Sequence, residues 1–161
     1  MAQFVIAEED PGAPDVRRLL QAHLAFAAQH SPPEDMHAMD SERLAAEQVA
    51  VFSVREQGRL LGIGAIKQLD EAHAELKSMH TLEEARGRGV AAAMLAHLIA
   101  AARDRGCERV SLETGSMNPF APARALYAGA GFTECPPFGD YAPSGYSVWM
   151  TLELTPDQKQ T

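Results

Sequence analysis

The chain has 161 residues and a formal net charge of −8, with 46% hydrophobic and 22% charged residues. This length suits one domain with its own core, and the composition is typical of a soluble globular protein. The acidity argues against nucleic acid and against an anionic membrane surface as general partners. We therefore expect a single domain over residues 1–161 that binds neither.

The N-terminal part of the chain is predicted to form one strand and two helices. A short strand at about 2–8 precedes a helix at 14–29, whose apolar residues recur at helical spacing. A proline-rich, polar connection at 31–41 leads to a brief helix at 42–48. The first residues lack a basic segment followed by an apolar one, so we expect no signal peptide and a cytoplasmic protein.

Three consecutive strands are predicted next. Segments 49–56 and 59–69 form a strand pair with a tight turn, and 72–81 is the third strand. Gly62 and Gly64 in the second strand indicate a bulge or the close approach of another element. Alternation in the third strand places Glu75, Lys77, Met79 and Thr81 on one face, and Leu76, Ser78 and His80 on the other.

The C-terminal half alternates helices and strands. A helix ends at about Arg105, and a strand at 107–115 leads to a second helix at about 120–130. Segments 132–135 and 146–154 are the closing strands. This order predicts an α/β fold with a mixed central sheet of about six to seven strands flanked by helices. The first of these helices should bury one stripe, formed by Val90, Met94, Leu95, Leu98 and Ile99.

The stretch RGRG at 86–89 lies between a predicted strand and an apolar helix. Glycine lets the backbone approach phosphate oxygens closely, and the N-terminus of a helix attracts anions. Arg86 and Arg88 add positive charge, whereas Glu83 and Glu84 should point into solvent. The stretch matches neither the P-loop nor the dinucleotide fingerprint. These local features leave two interpretations open, an anion site and an ordinary helix start with solvated arginines.

Two motifs in this half of the chain occur together. Residues 86–91 (RGRGVA) match the pattern Gln or Arg, any two residues, Gly, any residue, then Gly or Ala. Residues 125–132 (ALYAGAGF) match a helix end with Leu-Tyr followed by Gly-Phe. With these motifs in this order, the sequence resembles the GNAT superfamily of acyl-CoA-dependent N-acetyltransferases, in particular the bacterial small-molecule type.

The resemblance implies that acetyl-CoA is the co-substrate and lies across the edge of the strand at 72–81. Main-chain groups of this strand would pair with the pantetheine arm, and the amides of residues 87–91 would hold the pyrophosphate. The implied coenzyme-binding residues are Met79, His80, Thr81, Arg86, Gly87, Arg88, Gly89, Val90 and Ala91.

The resemblance also implies two catalytic residues. Tyr127 matches the tyrosine that often protonates the coenzyme A sulfur in the family, although an aromatic residue packed on the sheet is the other interpretation. Glu75 lies eleven positions before Arg86, where some members carry a general base that acts through water. A carboxylate in a central strand needs a partner, so a cross-strand ion pair or an exposed edge position would also explain Glu75.

Other residues near these motifs have less specific roles. His80 stands where many relatives have an aromatic residue, which favours packing or lining of the acceptor site over proton transfer. Phe120 replaces the asparagine that relatives commonly have seven residues before the tyrosine, so one contact to the coenzyme is not expected. Arg124 would approach a coenzyme phosphate or lie in solvent. The six histidines show no convergent metal spacing, so we expect no metal.

Acceptor specificity in the superfamily usually comes from the helical segment after the first strand and from the loop before the last strand. In this chain those segments are about 29–40 and 136–146. Four polar residues there would recognise an ammonium or hydroxyl group, or simply form turns: Asp35, Asp40, Asp140 and Tyr141.

The implied function is transfer of the acetyl group of acetyl-CoA to a primary amine of a small molecule by direct attack, with Tyr127 as general acid. Homodimerisation is possible for the class. Two alternatives remain open. One is a non-catalytic acyl-CoA-binding or partner-binding module with the same fold, and the other is a transferase of longer acyl chains.

Overall fold

The computed structural model describes residues 3–31, 39–47 and 49–154. All the predicted helices and strands are confirmed, with ends that differ by a few residues. Asp35, one of the acceptor-site candidates, lies outside the described residues. The elements are β1 (Val5–Glu9), α1 (Pro14–His30), α2 (Ser41–Ala46), β2 (Ala50–Glu56), β3 (Arg59–Gln68), β4 (His73–Thr81), α3 (Val90–Asp104), β5 (Arg109–Gly115), α4 (Ala121–Gly129), β6 (Thr133–Cys135) and β7 (Ser147–Glu153).

The strands form one open, mixed, seven-stranded sheet in the order β1-β2-β3-β4-β5-β7-β6. Only β4 and β5 run parallel among the paired strands, and all other neighbours are antiparallel. Pairing between β4 and β5 ends at Leu76 and Leu112, although β4 continues to Thr81 and β5 to Gly115. The two strands therefore separate towards their C-terminal ends and leave an opening in the middle of the sheet.

Helices cover both faces of the sheet. The buried residues of α1 and α2 pack with Val51, Ile63 and Ala65 on one face. The buried residues of α3 and α4 pack with Leu76, Val110 and other strand residues on the opposite face. The sheet thus separates two apolar layers, and the opening between β4 and β5 lies between them.

Helix α3 confirms the predicted buried stripe and adds Ala102 to it. It begins after Gly89, whose backbone is left-handed at φ 85°, and it is followed by the left-handed Gly106 at φ 82°. Glycine adopts this conformation without strain, which explains both helix ends. Within the described ranges, no helix combines the length and apolar character needed to cross a membrane.

Two glycines of β3 let α3 pack directly on the sheet. A Cβ on Gly64 would lie 2.7 Å from Met94 Cγ, and one on Gly62 would lie 2.8 Å from Val90 Cγ1. These contacts confirm the predicted close approach of another element. They also fix the start of α3 beside the separated part of β4.

A β-bulge at Ser78 interrupts β4. Ser78 has φ 56°, in the left-handed region, and the pairing with β3 shifts at this point. Lys77 lies opposite Ala65 and His80 lies opposite Ile63, so three residues advance on β4 where two advance on β3. A bulge of this kind changes which face the following side chains occupy.

The bulge makes the predicted alternation of β4 wrong. His80 was expected on the opposite face from Glu75, but its side chain contacts His23 of α1. Met79 was expected beside Glu75, but it packs in the α3 layer. The extra residue at Ser78 therefore brings Glu75 and His80 to the same face of the sheet, because strict period-two alternation holds only for a regular strand.

Candidate active site

A cleft of about 530 Å³ occupies the opening between β4 and β5. Its residues come from α1, β3, β4, the segment that leads into α3 with the start of that helix, β5, the β5–α4 connection with α4, and the loop before β7. We call residues 85–91 the loop wall of the cleft. We call His23, Phe26, His80 and Phe120 the ring wall.

The loop wall presents backbone to the cleft. Gly87 and Gly89 have φ 80° and φ 85°, and within the described chain no heavy atom lies within 4 Å of a Cβ built on either glycine, neighbours in sequence apart. The first N–H groups of a helix have no partner within the helix, and here they follow Gly89 at the start of α3. Val90 and Ala91 also line the cleft. Bare amides at a helix N-terminus are suited to bind a phosphate group.

The two arginines of this segment lie in different places. Arg86 lines the cleft, whereas Arg88 is not among the lining residues. The Arg88 guanidinium donates to both carboxylate oxygens of Glu56, at 2.8 and 2.7 Å, and lies over the ring of Phe4. Glu83 and Glu84 are exposed as expected, and Glu84 pairs loosely with Arg59 at 3.4 Å.

Tyr127 lies on α4 and lines the cleft. The residue is buried, with only 7% of its surface exposed, and its ring packs near that of Phe132. Burial, together with the nearby carboxylate of Glu113, raises the pKa of Tyr127 to about 12. Like that of an ordinary tyrosine, this hydroxyl keeps its proton at neutral pH and can donate a hydrogen bond to a group in the cleft.

A buried polar cluster lies beside the point where β4 and β5 separate. Glu75 Oε2 accepts a hydrogen bond from the Tyr141 hydroxyl at 2.5 Å and one from Lys77 Nζ at 3.3 Å. Lys77 Nζ also lies 3.3 Å from the Tyr141 oxygen. All three residues line the cleft, and the Glu75 and Lys77 side chains are only 5% and 9% exposed. Burial and the Glu75 carboxylate raise the pKa of Tyr141 well above its usual range.

The cluster excludes two of the three interpretations of Glu75 and leaves its role as a general base untested. Glu75 is neither at an exposed edge nor in a cross-strand ion pair, because its partner Lys77 is on the same strand. The contact with Tyr141 was not expected from the sequence, although Tyr141 was named as an acceptor-binding candidate. The sequence shows a tyrosine in the loop before the last strand, but it cannot predict a contact between residues 66 positions apart.

The ring wall lies on the α1 side of the cleft. His23 Nδ1 lies 3.2 Å from His80 Nδ1. The Phe26 ring contacts the rings of His80 and Phe120, with centroids 6.2 and 5.2 Å apart. His30 also contacts Phe26, at 4.7 Å. Sequence reasoning gave no role in the site to His23 or Phe26, although their spacing with His30 on one side of a helix was a usable signal.

Phe120 has a structural partner that explains its side chain. Its ring lies directly against Gly115 and leaves no room for a Cβ there. Arg124 donates to the backbone oxygens of Gly115 and Met117, at 2.6 and 3.1 Å. This arginine therefore holds the β5–α4 connection rather than lying free in solvent.

Of the predicted coenzyme-binding residues, all but Arg88 line the cleft, together with both predicted catalytic residues. The other acceptor candidates lie elsewhere. Asp40 caps α2 by accepting a hydrogen bond from Arg43 N at 2.8 Å, and Asp140 is an exposed turn residue. Among the residues that the structure describes, no group of three His, Cys, Asp or Glu side chains is placed to hold a metal ion.

Comparison with known proteins identifies the family. The model of the acetyltransferase (GNAT) family matches residues 14–132. The sequence is 42% identical to the N-acetyltransferase YedL of Escherichia coli, over 94% of this chain and 95% of that protein. It is 46% identical to the N-acetyltransferase YsnE of Bacillus subtilis, over 84% of this chain and 90% of that protein. An IAA acetyltransferase of Azospirillum brasilense is 30% identical, over 96% of this chain and 100% of that protein.

Solved structures share the same architecture. An acyl-CoA N-acyltransferase from Klebsiella pneumoniae superposes with a TM-score of 0.78 and 27% identity, covering 95% of this chain and 99% of that one. A GNAT acetyltransferase from Elizabethkingia anophelis with acetyl-CoA bound superposes with a TM-score of 0.69 at 16% identity, covering 94% and 98%. The second likeness shows the fold alone. This chain therefore belongs to the acetyltransferase (GNAT) family and is an acetyl-CoA-dependent N-acetyltransferase.

Proposed function

We propose that this protein transfers the acetyl group of acetyl-CoA to a primary amine of a small molecule by direct attack, with Tyr127 as general acid. The observation that carries this proposal is the buried Tyr127 side chain in the cleft. The phenol is protonated at neutral pH, as an ordinary tyrosine is, and burial raises its pKa further, to about 12. Loss of a thiolate requires a hydrogen-bond donor or a proton at the sulfur, and a positioned acid contributes about 10²–10⁴-fold to such steps.

The loop wall is the proposed site for the phosphates of the coenzyme. Gly87 and Gly89 carry no side chain that would block an approaching phosphate, and their left-handed backbone turns the chain into α3. The N-terminus of α3 adds the positive end of the helix dipole, and Arg86 adds a full positive charge. The backbone of Met79 and Thr81 lies on the part of β4 that β5 leaves unpaired, which supports their proposed pairing with the pantetheine arm.

The proposed acceptor site is the part of the cleft that the buried polar cluster lines. Glu75, Lys77 and Tyr141 form a cluster there with one negative and one positive side chain. Two donors already engage Glu75 Oε2, which supports the role of Glu75 as an anchor for Tyr141 more than its role as a general base. The name of the Azospirillum brasilense relative, an IAA acetyltransferase, supports a small molecule as the acceptor.

A thiol-release assay tests the proposal. Purified protein is mixed with acetyl-CoA and a panel of small primary amines, and free coenzyme A thiol is measured. Tyr127→Phe is expected to lower kcat by about 10²-fold or more, with the Kd of acetyl-CoA within about twofold of wild type. Tyr146→Phe is the matched control, because Tyr146 is 45% exposed and does not line the cleft. Equal turnover by Tyr127→Phe and wild type would discard the general-acid role.

A further inference from the structure

The ring wall is an uncharged aromatic surface. Its four rings come from α1, β4 and the β5–α4 connection, and each is half-buried and lines the cleft. The Phe26 ring contacts those of His80 and Phe120, with centroids 6.2 and 5.2 Å apart. Burial is the main cause that lowers the pKa of His23 to about 3 and that of His80 to about 4, so both imidazoles are neutral at pH 7. Such a wall is suited to a flat apolar group, because aromatic rings pack well against one another.

The charged side chains beside the ring wall have one net negative charge. Among the described residues outside the loop wall, three charged side chains line the cleft, namely Glu75, Lys77 and Glu113. Lys77 Nζ lies 3.3 Å from Glu75 Oε2, so these two charges offset each other. Glu113 adds a second carboxylate, and two negative charges with one positive charge leave one negative charge in excess.

Glu113 lies near the groups proposed to react. It follows Leu112, the last residue of β5 that pairs with β4, and therefore stands where the opening begins. Its Oε2 accepts a hydrogen bond from Ser147 Oγ at 2.7 Å. Burial is the largest cause of the raised pKa values of Tyr127 and Tyr141, and the negative charge of Glu113 adds to both. This carboxylate is therefore close both to the proposed general acid and to the polar cluster.

We propose that the acceptor is an aromatic monoamine without a carboxylate, whose ring packs on the ring wall and whose ammonium group binds beside Glu113. One ammonium group balances the one negative charge in excess. A carboxylate on the acceptor would instead meet two carboxylates, with Lys77 already engaged by Glu75. Like charges brought together in a half-buried site oppose binding. The proposal rests on the proposed acetyl transfer, adds no chemical step to it and names its substrate class.

Three amines test this assignment by binding alone. The probes 2-phenylethylamine and L-phenylalanine share a ring and an amine and differ by one carboxylate, whereas n-butylamine has a single amine and no ring. The full chain is saturated with coenzyme A in place of acetyl-CoA, so that no transfer occurs, and calorimetry measures each Kd. We expect 2-phenylethylamine to bind at least about tenfold more tightly than either of the others.

Equal or tighter binding of L-phenylalanine would overturn the proposal. Equal binding of n-butylamine would overturn it too, and so would the absence of measurable binding of 2-phenylethylamine. This comparison uses wild-type protein and therefore does not depend on whether a variant folds.

Phe26→Leu tests the contribution of the ring wall. The change keeps an apolar side chain and removes the flat ring. It should weaken the binding of 2-phenylethylamine by about three- to tenfold and change that of n-butylamine by less than about twofold. Equal losses for the two amines would contradict ring packing on Phe26.

Glu113→Gln tests the charge. The change removes the second carboxylate and keeps an oxygen that can accept from Ser147. It should weaken the binding of 2-phenylethylamine by about tenfold and narrow its preference over L-phenylalanine. Glu134→Gln is the matched control, because Glu134 is an exposed residue of β6 that does not line the cleft. Unchanged affinity in Glu113→Gln, or the same loss in Glu134→Gln, would overturn the role of Glu113.

Thiol release from acetyl-CoA separates this proposal from the proposed function. The highest kcat/KM for 2-phenylethylamine would support both. The expected order of binding without thiol release from any amine would overturn the acetyl transfer alone. Thiol release with L-phenylalanine or n-butylamine preferred would overturn the aromatic monoamine alone.

Discussion

The loop wall and the ring wall of the cleft are built in different ways. The loop wall is one continuous segment, residues 85–91, and offers backbone amides and a helix N-terminus. The ring wall and the adjoining polar cluster collect side chains from α1, β4, the β5–α4 connection and the loop before β7. A site made of backbone needs only a short motif, whereas a site made of side chains depends on how distant segments pack. In the proposed function, the loop wall binds the coenzyme, which is common to the family, and the ring wall with the polar cluster binds the acceptor, which is free to differ.

Among the variants that test this comparison, Gly89→Val should have the largest effect, on the affinity for acetyl-CoA. A Cβ on Gly89 would point into open space, which in the proposed function is occupied by a phosphate of the coenzyme, so the affinity for acetyl-CoA should fall by about 10–100-fold. Isothermal titration calorimetry measures this change. Gly58→Val is the matched control, since Gly58 has a similar φ of 82° in the β2–β3 turn, away from the cleft. Both variants should lose about 1–2 kcal/mol of stability from the left-handed backbone.

A control that binds as weakly as Gly89→Val would show that backbone strain alone explains the loss. Normal affinity of Gly89→Val for acetyl-CoA would show that the coenzyme phosphates do not bind at the loop wall. Either result would contradict the proposal that the loop wall binds the coenzyme while the other wall binds the acceptor.

Tyr141→Phe should affect the acceptor side alone. The change removes the hydroxyl that donates to Glu75 Oε2 and leaves the buried carboxylate with Lys77. A hydrogen bond to a charged group contributes about 1.5–3 kcal/mol, so stability and kcat/KM for the amine should both fall. The Kd of acetyl-CoA should not change. Urea unfolding and the thiol-release assay measure the two effects, and a selective loss of coenzyme affinity would contradict the assignment.

Replacing the two arginines of the loop wall by alanine should weaken acetyl-CoA binding to different extents. Arg86 lines the cleft, so Arg86→Ala should weaken acetyl-CoA binding by about tenfold. Arg88 is held by Glu56, so Arg88→Ala should change affinity by no more than about twofold. Titration of both variants against acetyl-CoA in low and moderate salt compares them. A larger loss of acetyl-CoA affinity in Arg88→Ala than in Arg86→Ala would show that Arg88 leaves Glu56 when the coenzyme binds.

The smallest effect expected is a dependence of stability on pH. The folded state lowers the pKa of His23 to about 3 and of His80 to about 4, and it lowers that of His73 through burial and Arg109. Unfolded histidines bind protons near pH 6.5, so the unfolded state takes up more protons as the pH falls below that value. Stability should therefore decrease from pH 7 to pH 5, by about 1 kcal/mol or less per histidine after screening by solvent.

Thermal unfolding between pH 7 and pH 5 measures this slope. The double variant His23→Asn, His80→Asn should flatten it, because two of the buried rings are gone. An unchanged slope in the double variant would mean that the ring wall does not contribute to it.

Local patterns in the sequence were enough to predict most of the fold. The helical stripe on α3, the glycines at both of its ends and the succession of helices and strands along the chain all depend on near neighbours. The same holds for the loop wall, whose glycine spacing and helix start lie within a few residues. Tyr127 was also predicted, because it belongs to a short motif, and the structure places it in the cleft.

Tertiary structure decided the ring wall and the polar cluster. The bulge at Ser78 places His80 on the same face as Glu75. Only the packing of α1 brings His23 Nδ1 to within 3.2 Å of His80 Nδ1. The loop before β7 brought Tyr141 onto Glu75, and β2 supplied the carboxylate that holds Arg88. These contacts join residues tens of positions apart, and a single extra residue in a strand reverses every side chain after it. A period-two pattern carries no information about that shift, so the sequence by itself determined the elements and the loop wall, and the fold decided the ring wall.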